Sequence, residues 1–458
     1  MKPARTSPAA PAKSRPARDA VIIFVGLWLL YGATIDRTDV YDYALQQFVI
    51  ASMADRGTYA IGDASNDRLK RTSDTFVYDG RRLAAKQPGQ FTIGYLAYLL
   101  CSSFGLTYAR DRILASAVVT WLSSSLLSAL AAAFLYWMIA RVWGFPRRDA
   151  AFAAVGSGAA TTIFPYSGVA HHDIIAASYL VIAFCLIEEA IVLQGHRRLA
   201  TSVVAGTLLG LTLFTSMLPA GIVLVLLARA ALARGKRLTP GVLCGLFLGL
   251  LPLFAYNLNY FGNPYLQANV AGGFTDTFFR PDPGNFLRHL NVYLGAGALS
   301  VLKYMPIVMA GIVGIFLMPE SLAAPKRALV AAIAIHLAYI LNIETVGDCQ
   351  YGPRYLITIA PLAMLGLPGL LAWGRARGTA AAAVAAGTLA ACSAAVNLVG
   401  ALKGTMYCTI TNFAFLEDLR GLPYLSRQDF PLAPVCLGLA AVTSAAIVLE
   451  SRWRSRRG

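Results

Sequence analysis

The chain has 458 residues, of which 57% are hydrophobic and 14% charged, with a mean hydropathy of +0.59. Soluble proteins carry roughly a quarter charged residues, so a soluble globular class is excluded and a polytopic membrane protein is expected. Its net charge of +16 is spread over tails and short connectors, which is a membrane-topology signal and implies no nucleic-acid partner.

Residues 1–19 are rich in Lys, Pro and Ala, a composition that reads as a disordered basic tail suited to anionic lipid. The tail resembles the n-region of a signal peptide. No small-residue cleavage site follows Ile35, however, so the first helix is expected to be retained. Apolar runs near membrane-crossing length follow at 20–35, 113–140, 150–167, 174–193, 240–258, 301–318, 328–343, 355–373, 379–399 and 432–449. The connectors Arg141 to Arg148, His196 to Arg198, Arg229 to Arg237, Lys326 to Arg327 and Arg375 to Arg377 are all basic, and short basic loops stay cytoplasmic. With these inside, the outer segments are electrically balanced and the whole formal charge falls on the cytoplasmic face.

Two stretches are placed by that rule. The run 203–228 has basic loops at both ends and must cross an even number of times, so Ser216, Pro219 and Gly221 mark where a short helical hairpin folds back. The run 91–106 is short and is expected to lie in, or dip into, the outer interface. The expectation is an all-α polytopic protein of the cytoplasmic (inner) membrane, with about twelve transmembrane helices, interfacial helices in the first outer loop and both termini cytoplasmic. No internal repeat and no separate soluble domain is visible. Of seven cysteines, five lie in apolar runs as small hydrophobes, while Cys349 and Cys408 fall in outer loops where a disulfide is left open.

Outside the membrane the chain offers segments 36–112, 168–173, 259–300, 344–354 and 401–431, which should converge on one cavity. In the first, Asp36, Asp39 and Asp42 stand directly before a helix in which Leu45, Phe48, Val49 and Met53 recur at helical spacing. With Gln46, Gln47 and Asp55 facing elsewhere, this reads as an amphipathic helix on the membrane surface. A carboxylate held there can take a proton from a hydroxyl or bind a divalent cation; three Asp can equally just solvate a helix start. Asp74 to Arg82 reads as a hairpin turning at Asp79-Gly80, and Lys86-Gln87-Pro88-Gly89 then redirects the chain. Lys86 is placed to meet a phosphate or diphosphate, or to snorkel.

His171-His172-Asp173 opens the fourth helix at its outer end, where one residue caps the helix and another turns into the cavity. Adjacent helical residues point apart, so the trio is not expected to form a metal site by itself. Arg354, following Gly352-Pro353, suits bidentate phosphate contact, and Lys303-Tyr304 is a second candidate; both also read as interface anchors.

These motifs resemble the GT-C superfamily of integral-membrane glycosyltransferases, which use polyprenyl-phosphate sugars. The nearer likeness is to bacterial relatives of protein O-mannosyltransferases and to the lipid A aminoarabinose transferase. The resemblance is carried by the Asp cluster with Tyr43, by Gly80-Arg81 through Gly89, and by Phe164-Pro165-Tyr166-Ser167 with His171. Tyr256-Asn257 with Phe261-Gly262-Asn263-Pro264, and Gly352-Pro353-Arg354-Tyr355, complete it in family order across residues 20–370. It implies a catalytic carboxylate at Asp39, with Asp36 and Asp42 as competitors and Asp173 as the second-loop acidic position. It also implies Lys86 on the lipid phosphate, with Arg354 as a second phosphate ligand; Lys303 is kept beside them as a further phosphate candidate on its own reading, and Tyr43, His171, His172 and Tyr304 are expected in the substrate cavity. Two departures are Asp39-Val40 where the family often has Asp-Glu, and Gln87-Pro88 where it often has Pro-Pro. Residues 1–19 are then a tail, 20–370 the catalytic module, and 371–458 C-terminal helices and a cytoplasmic tail without family signal.

The implied function is inverting transfer of a sugar from a polyprenyl-phosphate donor to a lipid, glycan or protein acceptor at the outer face, with an Asp as general base. No cofactor is certain; a divalent cation is left open, although the lone outer Asp173 leans toward metal independence. The alternative is a polytopic transporter or lipid flippase, against which stand the absence of repeats and the scarcity of mid-helix charge, His336 being the clearest exception. A non-catalytic membrane assembly protein is the third reading.

Overall fold

The computed structural model describes residues 15–37, 40, 44–61, 74–233, 238–273, 280–347, 350–405 and 413–455. Among these, seven helices are long and apolar enough to cross a membrane: Pro16–Ala33, Arg112–Val142, His172–Val192, Gly195–Thr215, Thr239–Phe261, Glu320–Ile340 and Ala381–Lys403. Ala220–Ala231, Ile307–Phe316 and Ala433–Val448 are shorter apolar helices. Large apolar side chains such as Leu224, Phe247, Val313 and Val442 stay exposed on the outer helix faces, as suits a multi-pass membrane protein in lipid.

Six of the seven long helices overlap expected single spans, the exception being Gly195–Thr215, but several other runs are broken, so the expected twelve do not appear as twelve long helices among the described residues. The run 150–167 divides into Arg147–Ala159 and Ile163–Ser167. Between them Thr161 donates its hydroxyl to the Ser157 carbonyl at 2.6 Å and accepts from the Ile163 amide at 3.2 Å, replacing backbone bonds of the helix. Pro306 separates Val301–Tyr304 from Ile307–Phe316. Ala360–Met364 and Leu367–Ala376 each start anew with a proline in the first turn, where its missing N–H costs least. The first helix begins at Arg15 rather than after residue 19. Asp19, placed by the sequence in the tail, accepts hydrogen bonds from Tyr136 at 2.6 Å and from Arg147 Nε at 2.7 Å.

Helix His172–Val192 runs through the centre of the bundle, with 83% of its apolar window buried. The expected hairpin turns where foreseen, at Ser216–Pro219, but its first arm is a full 21-residue span, Gly195–Thr215, against which Thr239–Phe261 packs. Gly206 and Gly210 on one helix face Gly245 and Gly249 on the other so closely that a Cβ at any of the four would overlap the partner's backbone. Small residues thus let two backbones touch, the packing that drives helix association in lipid.

Outside the bundle, β-strands Thr75–Tyr78 and Arg81–Ala84 pair antiparallel, with Phe76 opposite Leu83 and Tyr78 opposite Arg81. Asp79 (φ 47°) and Gly80 (φ 71°) both take left-handed conformations, as a two-residue type I′ turn requires. Leu83 from this hairpin packs with Tyr256, Tyr260 and Phe261, while Tyr260 Oη accepts from the Tyr59 amide at 2.9 Å. Helix Gly89–Ser103 follows, with Leu96, Leu99 and Leu100 exposed along one face, as an interfacial helix needs.

Helix Ala44–Arg56 differs from its expected surface role. Gln46 and Gln47 are buried rather than on a solvent face, Gln46 against the Gln90 amide and Gln47 accepting from Tyr108 Oη at 2.7 Å. Each amide makes one bond, Gln46 to the neighbouring helix and Gln47 to the segment just after it, so this face is packed and the helix is not simply amphipathic.

Candidate active site

Three segments meet at one end of the bundle because each has a local reason to do so. The Lys86-to-Gly89 turn comes in from the hairpin, and Gly89 lies so near Phe214 and Thr215 that any side chain would collide with that helix end. His171 precedes helix His172–Val192 in an extended conformation (φ −107°, ψ 138°) and caps it, its Nδ1 accepting from the Asp173 amide at 3.2 Å. Gly352, at φ 67°, sits against the Tyr304 ring and sets the short 3₁₀ turn Arg354–Leu356 from which the arginine reaches inward.

Asp173 is the centre of the arrangement and is 2% exposed. Its Oδ1 lies 3.3 Å from His172 Nε2 and accepts from Ser216 Oγ at 3.3 Å. Its Oδ2 lies 3.8 Å from Arg354 Nε and 3.7 Å from His171 Nδ1, and accepts no hydrogen bond from the described residues. The Arg354 guanidinium also approaches His171 Nε2 at 3.4 Å, donates to Tyr355 Oη at 3.3 Å and stacks 4.9 Å above the Tyr355 ring. Burial, and then the neighbouring His172, Arg354 and Lys86, hold the His171 imidazole well below its ordinary pKa, so it is neutral at physiological pH.

Lys86, Gln87, His172, Asp173, Asn269 and Arg354 line a cavity of about 50 Å³, closed by the Ser216–Leu218 turn and by Tyr339 and Tyr355. Lys86 Nζ lies 3.3 Å from Asp74 Oδ1 at the rim, with the two side chains 22% and 47% exposed. Two cations lining one cavity, each now paired with a carboxylate, can be re-partnered by an incoming phosphate.

Lys86, Asp173, His171, His172 and Arg354 are therefore brought together as the sequence suggested. Asp39, Asp42 and Tyr43 lie outside the described residues, as do Cys349 and Cys408. Asp36 is buried just past the first helix. Lys303 and Tyr304 correct the expectation. Lys303 does not line the cavity and donates to the Ala296 carbonyl at 2.7 Å. Tyr304 is buried among Tyr351 and Phe413, its Oη accepting from the Ala414 amide at 3.0 Å, because the Pro306 break turns it into the helix packing. His336 is also structural, its Nε2 2.8 Å from the Tyr355 carbonyl.

Other resembling motifs prove to be structural supports. Asn257 donates to the Pro264 carbonyl at 3.0 Å across the left-handed Gly262, and Tyr166 Oη donates to the Tyr351 carbonyl at 3.1 Å. Sequence reasoning missed Asn269 and Tyr339 in the cavity wall, which no motif marks.

One expectation about metal changes. His171 and His172 are adjacent but do not point apart, because His171 is a cap and not a helical residue; their rings stack 4.2 Å apart. With Asp173, their ligand atoms lie within 4.8 Å of one another, a donor set suited to a transition metal such as zinc. Asp173 Oδ2, which accepts no hydrogen bond from the described residues, fits a cation. The Arg354 guanidinium approaches the same atoms, however, so a metal ion and Arg354 would compete for them.

No family model and no curated protein matches the sequence. Solved structures do match. ArnT from Cupriavidus metallidurans bound to undecaprenyl phosphate is 16% identical, with a TM-score of 0.52, over 92% of this chain and 76% of that one. The archaeal oligosaccharyltransferase AglB from Archaeoglobus fulgidus, in complex with an inhibitory peptide and a dolichol-phosphate, is 13% identical, with a TM-score of 0.51, over 91% of this chain. The chain spans 59% of AglB's length. At these identities the likeness is one of fold, and the helical bundle described here shares the fold of both neighbours.

Proposed function

We propose that this chain is an integral-membrane glycosyltransferase that moves a sugar from a polyprenyl-phosphate donor to an acceptor at the outer face of the membrane. The observation that carries the reading is the meeting of Lys86 and Arg354 around buried Asp173 in one cavity at the end of a helical bundle. Two structures of the same fold hold a polyprenyl or dolichyl phosphate, which supports a lipid phosphate as the ligand of those cations.

In this reading Lys86 and Arg354 hold the donor phosphate, and Asp39 takes the proton of the acceptor hydroxyl, with Asp42 as the competing base. The acceptor oxygen attacks the anomeric carbon from the face opposite the phosphate. The bond from that carbon to the phosphate oxygen breaks, its electron pair leaves with polyprenyl phosphate, and the proton rests on the Asp39 carboxylate before passing to solvent. The configuration inverts. A phosphate leaving group needs charge stabilisation more than a general acid, which is what two fixed cations supply. His171, being neutral, orients Asp173 and Arg354 and takes no part as an acid. A bound divalent cation, on His171, His172 and Asp173, would supply further neutralisation of the phosphate.

The test is release of free polyprenyl phosphate from radiolabelled polyprenyl-phosphate sugars by the purified protein in lipid nanodiscs. Wild type should release it, and Asp39→Asn should lower the rate by about 10²- to 10⁴-fold, the usual worth of a general base. Near-normal release by Asp39→Asn removes it from that role. Neither turnover nor binding of any donor by wild type overturns the transferase reading in favour of a transporter.

A further inference from the structure

The same cavity is also lined by amides with unmet needs. Gln87 is 3% exposed; its Nε2 donates to Gln267 Oε1 at 3.1 Å, while its own Oε1 is buried and has no hydrogen-bond partner among the described residues. Asn269, two residues beyond Gln267, also lines the cavity, and its Oδ1 is likewise buried and unpartnered. Buried acceptors without donors are rare and costly, and a cavity that keeps them is shaped for a ligand that brings the donors.

The phosphate of a donor cannot do so. A polyprenyl-phosphate sugar is a phosphodiester whose charged oxygens only accept, and they are drawn to Lys86 and Arg354. The prenyl chain carries no polar hydrogen. The O–H groups that such a donor presents belong to its sugar. We infer that Gln87 and Asn269 form a sugar-reading wall, accepting hydrogen bonds from hydroxyl groups of the transferred sugar. Gln267 is a positioning residue that fixes the Gln87 amide with its oxygen available. This inference rests on the donor class proposed above and adds to it: the phosphate is held by cations, and the sugar is selected by neutral acceptors.

The experiment compares two probes on the protein in nanodiscs: polyprenyl phosphate, and polyprenyl phosphate carrying a hexose or a pentose. Gln87→Leu and Asn269→Leu should each weaken the sugar-bearing probe by about tenfold, the worth of a buried hydrogen bond. Both should leave polyprenyl phosphate binding within twofold of wild type. Because Gln87 is deeply packed, Asn269→Ala, on the less buried short helix Ala268–Ala271, provides a second variant whose melting temperature is checked in parallel. Equal weakening of both probes, or of neither, overturns the assignment. Wild type that binds polyprenyl phosphate no less tightly than its sugar-bearing forms also overturns it, and leaves the lipid-phosphate reading standing. Binding of neither probe by wild type overturns the donor class itself.

Discussion

Replacing Lys86 by Met separates the phosphate-binding role of this lysine from its structural one. In the unliganded site its ammonium lies 3.3 Å from Asp74 Oδ1, with side chains 22% and 47% exposed. Pairs of that exposure contribute about 0–1 kcal/mol to stability, and Met preserves most of the aliphatic stem, so the melting temperature should move little. A charge-assisted hydrogen bond to a phosphate within the cavity is worth roughly 1.5–3 kcal/mol, equivalent to about 10- to 150-fold in affinity. Binding of polyprenyl phosphate to nanodisc-embedded protein, measured beside a thermal unfolding curve, reads both quantities. Asp74→Asn is the control: it removes the competing carboxylate and should leave phosphate affinity equal or tighter. Unchanged affinity in Lys86→Met with a wild-type melting curve would refute the assignment. A drop in affinity that merely tracks loss of the fold would show Lys86 to be structural.

Three further outcomes are expected. Gly245→Leu should destabilise the bundle by at least the roughly 1–3 kcal/mol typical of overpacking, since its Cβ would overlap the Val203 carbonyl, whereas Gly387→Leu, with open space around it, should be neutral in the same melting assay. Asp418, buried in the last loop helix Ala414–Gly421, has its carboxyl pushed up to about 7 by burial, against the opposing pull of Lys403. The folded form therefore holds a proton that the unfolded chain releases near 4, and stability falls as pH rises from about 4 to about 7 and is then level; Asp418→Asn should flatten that part of the pH–stability curve relative to wild type. Chelator should leave transferase turnover unchanged, because Arg354 already faces the His171 and Asp173 atoms a cation would use. Loss of turnover restored by zinc or magnesium would place a metal there instead.

What could be read from the sequence was whatever has a local cause. The Asp79-Gly80 turn, the cap at His171 and the fold-back at Ser216–Pro219 each depend on residues within a few positions of one another. The basic connectors mark one end of the bundle by a rule that needs no tertiary contact. What stayed hidden depends on partners distant in sequence. Gln46 and Gln47 read as solvent-facing because Gln90 and Tyr108, against which they pack and hydrogen-bond, lie on later segments. Tyr304 read as a cavity residue because nothing near it shows that Ala414 and Tyr351 enclose it. Asn269 enters the cavity wall through the packing of a short loop helix, without any motif to announce it. The apolar run 355–373 looked continuous because hydropathy does not register the prolines that restart its backbone bonding.

The arginines at the opposite end of the bundle carry a consequence for anyone who wishes to determine its orientation. Arg147 binds Asp19, Arg229 Nε lies 2.8 Å from Glu188 Oε1, and Arg375 Nη1 donates to Asp149 Oδ1 at 3.0 Å. These pairs tie together helices far apart in sequence, so side chains that the basic-loop rule reads as sorting signals are also fasteners of the bundle. Deleting them to invert the chain would unfasten the helices being inverted, and a misplaced reporter could then reflect a broken bundle. Arg141 and Arg197 are exposed and make no ion pair among the described residues. Altering those two would test the basic-loop rule while leaving the fasteners closed.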